Sequence, residues 1–455
     1  MAEMGQPKPL HQHHHLVLLA TVLAIMACTA AGEEGNGKPL VTAITKDGST
    51  RLYSFPVIKN GSPLVLDLSG PIIWSTCPDS SAHDTIDCNS PACMRAHRYH
   101  PPNCPHTGYG QPDAPRNPYR CKCTAHPHNP LGSNSGGSTP QSGQDLTRVA
   151  LSANATDGNN PLSPPVAFTA VASCAPESLL EGLPEGSVGV AGLGRSALSL
   201  PAQVGKAQGV CNKFALCLPS GSASGNLGVA IFGGGPLSLL PMVGTDLTAS
   251  LAGETPLVKY KECPGYYVKA TAGIAVNQAQ VVLPLDDGKD GCGPLVVGFS
   301  TTAPYTELRS DVYRAFIKAF DAATSGIPRL PSPTSGPKFE LCYESAKLGS
   351  TRLGYAVPQV DVMLDGGKNW TVFGGNSMAQ VDDRTACLAF VEMAEGKATY
   401  GGGGEAAAPA VVIGGFQMEN NLVVFDEEEQ RLGFSGLLWG RRTTCSNFNF
   451  TMAAV

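Results

Sequence analysis

A mainly β protein built from more than one lobe is what this sequence predicts, and three observations carry that prediction. The chain has 455 residues, too many for one compact core at about 150 residues per domain. Glycine (53) and proline (37) together make up roughly a fifth of it, and charged residues only 15%, a balance that favours strands and turns over long helices. From Leu40 onward, short apolar stretches alternate with polar residues at period two, the pattern of half-buried strands. The formal charge is −6 and no basic block stands out, which argues against nucleic acid as a partner.

The elements follow in order. Lys8 and a histidine cluster (His11, His13, His14, His15) precede an apolar run from Leu16 to Cys28, and small residues follow it. The run is too short to span a bilayer and reads as a secretory leader, residues 1–31, with cleavage expected near Ala30 or Ala31. No other stretch is long and apolar enough for a membrane span. Loss of Cys28 with the leader leaves 14 of the 15 cysteines. An even number on a secreted chain argues for disulfides, and all are expected to pair. Sequons at Asn60, Asn154, Asn369 and Asn449 agree with an extracellular address, the apoplast or cell wall.

Leu40–Ile44 and Leu52–Val57 read as strands. Leu64–Asp67 is an unbroken apolar run ending on an acid, a buried strand that delivers Asp67 to a turn. Pro78–Asn129 is rich in Cys, Pro and His, which predicts a disulfide-stapled loop with little regular structure. Leu131–Gln144 is almost all small and polar, a mobile loop. Ser187–Arg195 is a glycine-spaced buried strand, and a short helix follows through Leu200–Val204. Val229–Gly235 closes a first lobe set at residues 38–240, with a second at 241–455. In the second, Tyr266–Leu283 is strand-like. Ser310–Phe320 is the clearest helix, with Ser310 as its cap, Val312, Phe316 and Phe320 on one face, and Gly326 beyond its end. Ile327–Pro337 is a Pro-rich loop, Glu395–Ala408 a Gly/Ala-rich loop, and Val411–Gly436 returns to strands.

Two segments point to chemistry. Leu64–Cys77, through Asp67-Leu68-Ser69-Gly70, resembles the first active-site loop of a pepsin-like aspartic protease, and Val297–Tyr305 resembles the second. The first keeps Asp67; the second has Ser300 where the partner aspartate belongs. Hydrolysis of that kind needs two carboxylates sharing one proton, one as acid and one as base for a water. Asp67 and Ser300 are therefore vestigial dyad positions, no residue is expected to be catalytic, and the chain reads as a binding protein rather than an enzyme. Where such proteases carry a Tyr-Gly pair on a flap, this chain has Thr124-Ala125-His126-Pro127-His128-Asn129.

Four stretches in the right order resemble plant pepsin-like proteases: Asp67–Cys77, Val188–Gln203, Ser300–Phe320, and Ile413–Met418 continuing to Phe434. Ile231–Pro236, Gly354–Pro358, Asn376-Ser377-Met378 and Ala389–Met393 narrow the likeness to the TAXI-type xylanase inhibitors of cereals and, more loosely, the basic 7S globulins. The resemblance implies a two-lobed pepsin-like fold with a few short helices and a wide cleft, no protease activity, and secretion for defence as a monomer. It also implies a partner: a microbial glycoside hydrolase, most directly a family 11 endo-1,4-β-xylanase, blocked at its cleft. A storage role of the 7S-globulin kind and inhibition of a xyloglucan-specific endoglucanase are the alternatives. In the family a loop Leu and a late His enter the xylanase. Arg352 stands at the first position with Leu353 beside it, and Trp439 at the second, next to Arg441 and Arg442. An indole has one donor and no acceptor, so it cannot bridge two carboxylates as an imidazole does. Disulfides Cys342–Cys387 and Cys217–Cys445 are expected.

Other readings fall away. The Cys/His-rich stretch from Cys88 to His128 offers no tight C-x-x-C pair and lies in an oxidising compartment, so disulfides win over zinc. The runs Gly233–Gly235 and Gly401–Gly404 lack a strand-to-helix setting for phosphate. No metal and no cofactor are expected.

Overall fold

The structure is a computed structural model that describes residues 37–77, 83–99, 110–113, 117–131, 143–260, 263–283, 295–334, 336–394 and 409–452. The leader, most of the loop at 131–144 and the Gly/Ala-rich loop at 395–408 lie outside these residues. No helix among the described residues is long and apolar enough to cross a membrane.

Strands dominate. One fourteen-stranded sheet carries the first half of the chain. Its order runs from Leu40–Lys46 through Tyr53–Phe55, Leu64–Asp67, Gly189–Gly192 and Ile73–Thr76 to the long hairpin Gln144–Thr156/Pro161–Ala175. On its other side the sheet continues through Gly228–Phe232 and Lys213–Cys217 into strands from the end of the chain, Leu422–Asp426 and Arg431–Phe434, and then Gly253–Pro256. The second half adds a six-stranded sheet and two four-stranded sheets.

A repeated pairing lies at the centre of each half. Leu64–Asp67 runs parallel to Gly189–Gly192, which pairs antiparallel with Ile73–Thr76, which in turn runs parallel to Pro161–Ala175. Leu295–Phe299 likewise runs parallel to Val411–Ile413, which pairs antiparallel with Thr306–Leu308, which runs parallel to Phe390–Glu392. Each arrangement ends a buried strand at one of the two chemistry-bearing turns.

The unbroken apolar sequence of Leu64–Leu66 reflects burial on both faces. Leu64 and Leu66 join the main core, whereas Val65 packs with Trp74 and Val190 on the opposite side. The halves share an aromatic core. Phe425 stacks on Phe214 at 4.8 Å and meets Tyr266 at 4.4 Å, while Trp370 bridges Phe299 and Phe434 at 5.5 and 5.2 Å.

Two local expectations are corrected. Pro78–Asn129 holds more regular structure than its composition predicts: a helix at Pro91–Ala96, capped by Ser90 Oγ accepting from Cys93 N, and the hairpin Gly110–Asp113/Asn117–Ala125. Disulfides Cys88–Cys121 and Cys93–Cys123 pin helix and hairpin together. The helix Ser310–Ala323 buries Val312, Tyr313, Phe316, Ile317 and Phe320, but Ser310 is its first residue rather than its cap. The Ser310 hydroxyl instead donates across to Glu392 Oε1 at 2.5 Å, a charge-assisted bond.

Candidate functional site

Asp67 is 1% exposed. Its backbone carbonyl accepts from Leu193 N at 2.8 Å and Gly70 N at 3.2 Å, and its Oδ1 accepts from Ser69 N at 2.8 Å. The parallel neighbour must be glycine here: a Cβ on Gly192 would fall 2.4 Å from the Ile72 oxygen and 2.5 Å from that of Gly70. Among the described residues Asp67 makes no ion pair. Burial pushes its carboxyl up to about 6, with the Ser69 and Gly70 amides opposing that rise.

Ser300 holds the matching turn with a hydroxyl. Its Oγ accepts from Thr302 N at 3.2 Å and Ala303 N at 3.0 Å and meets Thr302 Oγ1 at 3.1 Å. The two turns are tied together from one side. Thr301 Oγ1 donates to Leu66 O at 2.7 Å and accepts from Leu68 N at 3.3 Å. Leu68, the equivalent residue of the first turn, is fully buried in the core and has no hydroxyl to return that bond. A serine and one aspartate cannot form a proton-sharing carboxylate pair, so a pepsin-type water has no base-and-acid couple at these positions.

The residues in place of a flap tyrosine turn inward. The His128 carbonyl accepts from Trp74 Nε1 at 2.9 Å. Burial pushes the His128 imidazole down to about 4, so it is neutral at physiological pH. Asn129 Nδ2 donates to Leu179 O and Glu181 O, both at 2.8 Å. Among the described residues two groupings with metal-ligand donors occur, Cys77/His83/Cys174 and Cys93/His97/Cys123. In both, the cysteines are bonded to each other and have no thiolate to offer a metal.

Two segments far apart in sequence meet at the surface. Arg352 is exposed at the tip of the hairpin Ser350–Thr351/Gly354–Tyr355, and Leu353 is half-buried beside it. Trp439 is half-buried on Gly375, where an added Cβ would fall 2.5 Å from its Cζ3. Gly375 N donates to Leu353 O at 2.7 Å, and Leu353 Cδ2 lies 3.6 Å from where a Cβ on Gly440 would be. Gly375 is thus the seat that joins the Arg352-Leu353 tip to the Trp439-Gly440 turn. Sequence reasoning missed it, although it directly precedes the singled-out Asn376-Ser377-Met378. Arg441 folds back, donating from Nη1 to Ser250 Oγ at 2.8 Å and from Nη2 to Ser250 O at 2.6 Å. Arg442 is exposed, in the left-handed region at φ 60°.

A buried trio at the seam between the halves was also not singled out from sequence. Glu419 Oε1 accepts from Lys46 Nζ at 2.5 Å and from the Tyr53 hydroxyl at 2.6 Å. Burial pushes the Glu419 carboxyl up to about 7, against the pull of Lys46.

Cys342 is bonded to Cys387, and Cys217 to Cys445. Cys211 is also disulfide-bonded, while Cys104 and Cys292 lie outside the described residues. Cys263 is not disulfide-bonded, against the expectation that all fourteen pair; its neighbour in register is Tyr260. Asn60 and Asn369 are exposed, whereas Asn154 and Asn449 are half-buried. Asn154 Nδ2, the atom a glycan would use, donates to Leu162 O at 2.9 Å.

Residues 57–234 match the family described as xylanase inhibitor N-terminal, and residues 265–436 the one described as xylanase inhibitor C-terminal. A protein of Oryza sativa subsp. japonica named chitinase CLP is 61% identical over 92% of this chain and 93% of its own length. The solved structure of edgp superposes with a TM-score of 0.74 at 31% identity, covering 92% of this chain and 99% of that one. Basic 7S globulin from soybean gives 0.67 at 28%, covering 91% and 100%. An aspartic proteinase from Irpex lacteus, at 12% identity and a TM-score of 0.53 over 89% of this chain and 99% of its own, shows the pepsin-like fold alone.

Proposed function

This chain belongs to the xylanase inhibitor family of pepsin-like proteins, and on that premise we propose that it is a secreted plant protein that blocks the active-site cleft of a microbial cell-wall glycosidase, a family 11 xylanase first of all. It acts as a monomer without covalent chemistry and without protease activity. One observation carries the reading: the Arg352-Leu353 tip and the Trp439 turn share one seat on Gly375. A large aromatic, an aliphatic tip and arginine are the residue types that anchor interfaces, and an exposed Arg352 would be drawn to the acids that line a glycosidase cleft. Ser300 in place of an acid supports the loss of protease chemistry.

The test is an inhibition panel of family 11 xylanases and a xyloglucan-specific endoglucanase, with a pepstatin-controlled acid protease assay beside it. Inhibition of a xylanase without proteolysis is expected. Inhibition of the endoglucanase alone moves the target. Inhibition of neither favours a storage or non-inhibitory binding role of the 7S-globulin kind.

The 61% identity to a protein named a chitinase favours one second reading. Chitin can be cleaved with substrate assistance, in which the N-acetyl group supplies the nucleophile and the enzyme one general acid. A lone carboxyl raised to about 6 by burial, Asp67, has the character of such an acid. Chitin hydrolysis that disappears in Asp67→Asn while glycosidase inhibition persists would establish this reading; the absence of hydrolysis in the unaltered protein ends it.

A further inference from the structure

A cleft of about 410 Å³ opens between residues of the two halves, and neither Arg352 nor Trp439 is among its described lining residues. Arg98, Tyr99, Lys259 and Tyr260 form its walls, the more buried Arg195 and Glu427 its base, and Cys263 completes the described lining. The volume lies within the range of small-ligand pockets. The base is built in: Tyr99 donates its hydroxyl to Arg195 O at 2.8 Å, and the Arg195 guanidinium donates from Nη1 to Val258 O at 2.8 Å. The Arg195 side chain is only 4% exposed, and its Nε lies 2.7 Å from Glu427 Oε1. That approach is not aligned as a hydrogen bond, and both atoms are buried without one.

The walls differ from the base. Arg98 and Lys259 are both exposed and make no ion pair among the described residues. The Arg98 guanidinium sits 5.7 Å from the centre of the Tyr99 ring, and Tyr260 is held edge-on against Tyr267 at 5.3 Å. The cleft thus offers two available cations and two fixed tyrosine rings in a chain whose net charge is −6. Among the described residues no aliphatic side chain lines it.

We propose that this cleft binds an acidic oligosaccharide, one whose sugar ring carries a carboxylate as in a uronic acid. Arg98 and Lys259 take the carboxylate, with Arg98 able to meet both oxygens through its fork. Tyr99 and Tyr260 offer flat apolar faces to the pyranose, and the Tyr99 hydroxyl, its proton already given to Arg195 O, can still accept from a sugar hydroxyl. The lack of aliphatic side chains among the described lining residues disfavours an apolar peptide, and the two rings exceed what a simple inorganic anion uses. Such a site would let the protein hold acidic wall polysaccharide independently of any glycosidase it blocks.

Calorimetric titration of the full chain tests this with four probes: a glucuronic-acid-bearing xylo-oligosaccharide, the neutral oligosaccharide of equal length, an Asp/Glu-rich peptide and inorganic phosphate. The acidic sugar is expected to bind at least about tenfold tighter than the other three and to weaken as salt is raised. Arg98→Gln and Lys259→Gln should each weaken it about five- to tenfold, while Lys318→Gln, an exposed lysine on a distant helix, leaves it unchanged. Equal binding of acidic and neutral sugars, tighter binding of peptide or phosphate, no binding, or indifference to both cleft variants overturns the proposal. Glycosidase inhibition measured on the same variants should not move, so failure here and failure of the inhibitor reading are told apart.

Discussion

The Asp67 turn and the Ser300 turn are near copies built at the ends of equivalent strands. In both, the residue at the tip accepts an amide from two positions on: Ser69 N to Asp67 Oδ1 at 2.8 Å, Thr302 N to Ser300 Oγ at 3.2 Å. What the fold asks of these positions is an acceptor; what acid proteolysis asks is a pair of carboxyls. Serine meets the first demand and cannot supply the second. The linkage between the turns has decayed on the other side. Thr301 still reaches across to Leu66, whereas Leu68 cannot reach back. Structural and chemical requirements at one residue are separable, and this chain has kept only the former in its second turn.

The comparison can be broken most directly at its remaining tie. Thr301→Val leaves Leu66 O and Leu68 N buried without a partner. At roughly 1–3 kcal/mol for each unsatisfied group, a loss of ~2–6 kcal/mol is expected in denaturant unfolding; a loss under ~0.5 kcal/mol would mean that the turns are held by packing alone.

Next comes the acid itself. A carboxyl raised in the fold from 3.8 to about 6 favours the folded state while protonated. Its contribution is present below about pH 4 and is lost as pH rises through about 6, a change of up to ~3 kcal/mol. Asp67→Asn should therefore flatten the fall in stability over that window, measured as Tm against pH. An unchanged profile would show that Asp67 titrates normally. Glu419, raised to about 7, adds a decline of the same sign over a range ending higher, which persists in the Asp67 variant.

A third change separates the scaffold from its proposed contact surface. Trp439→Ala should cost ~2 kcal/mol or more of affinity for the inhibited glycosidase and leave the pH profile set by the turns untouched. Unaltered inhibition in a Trp439→Ala, Arg352→Ala double variant would place the contact elsewhere.

The smallest effect expected is on activity. Ser300→Asp restores the second carboxyl but neither the missing cross-turn bond nor a flap tyrosine, so no pepstatin-sensitive cleavage should appear at about pH 3–4. If cleavage did appear, the serine alone would account for the difference between the turns.

The parts legible in sequence are those written in local pattern. Leu64–Asp67 shows as an apolar run because both of its faces are covered. The helix at Ser310–Ala323 shows through its 3.6-residue periodicity, and Asp67 and Ser300 stand out because the turns around them are so alike. What escaped depends on distant partners. Ser310 looks like a cap until Glu392 is placed opposite it. The helix and hairpin between residues 83 and 125 are held by cross-links whose pairing composition does not reveal. Arg441 reads as an available cation until Ser250 is brought beneath it. The contact between Leu353 and the Trp439 turn depends on Gly375, whose small size matters only once both neighbours are in place.

The strand Lys213–Cys217 is completed by Leu422–Asp426, and Cys217 must wait for Cys445, 228 residues later. At ~5–20 residues per second, the ribosome delivers that partner roughly 10–50 s after the first strand emerges. During that interval the growing chain carries an open sheet edge of apolar residues, the kind of surface that invites pairing with a neighbour. Until residues 422–426 arrive the Lys213–Cys217 strand lacks its outer neighbour, and a chain cut short before residue 422 lacks it permanently.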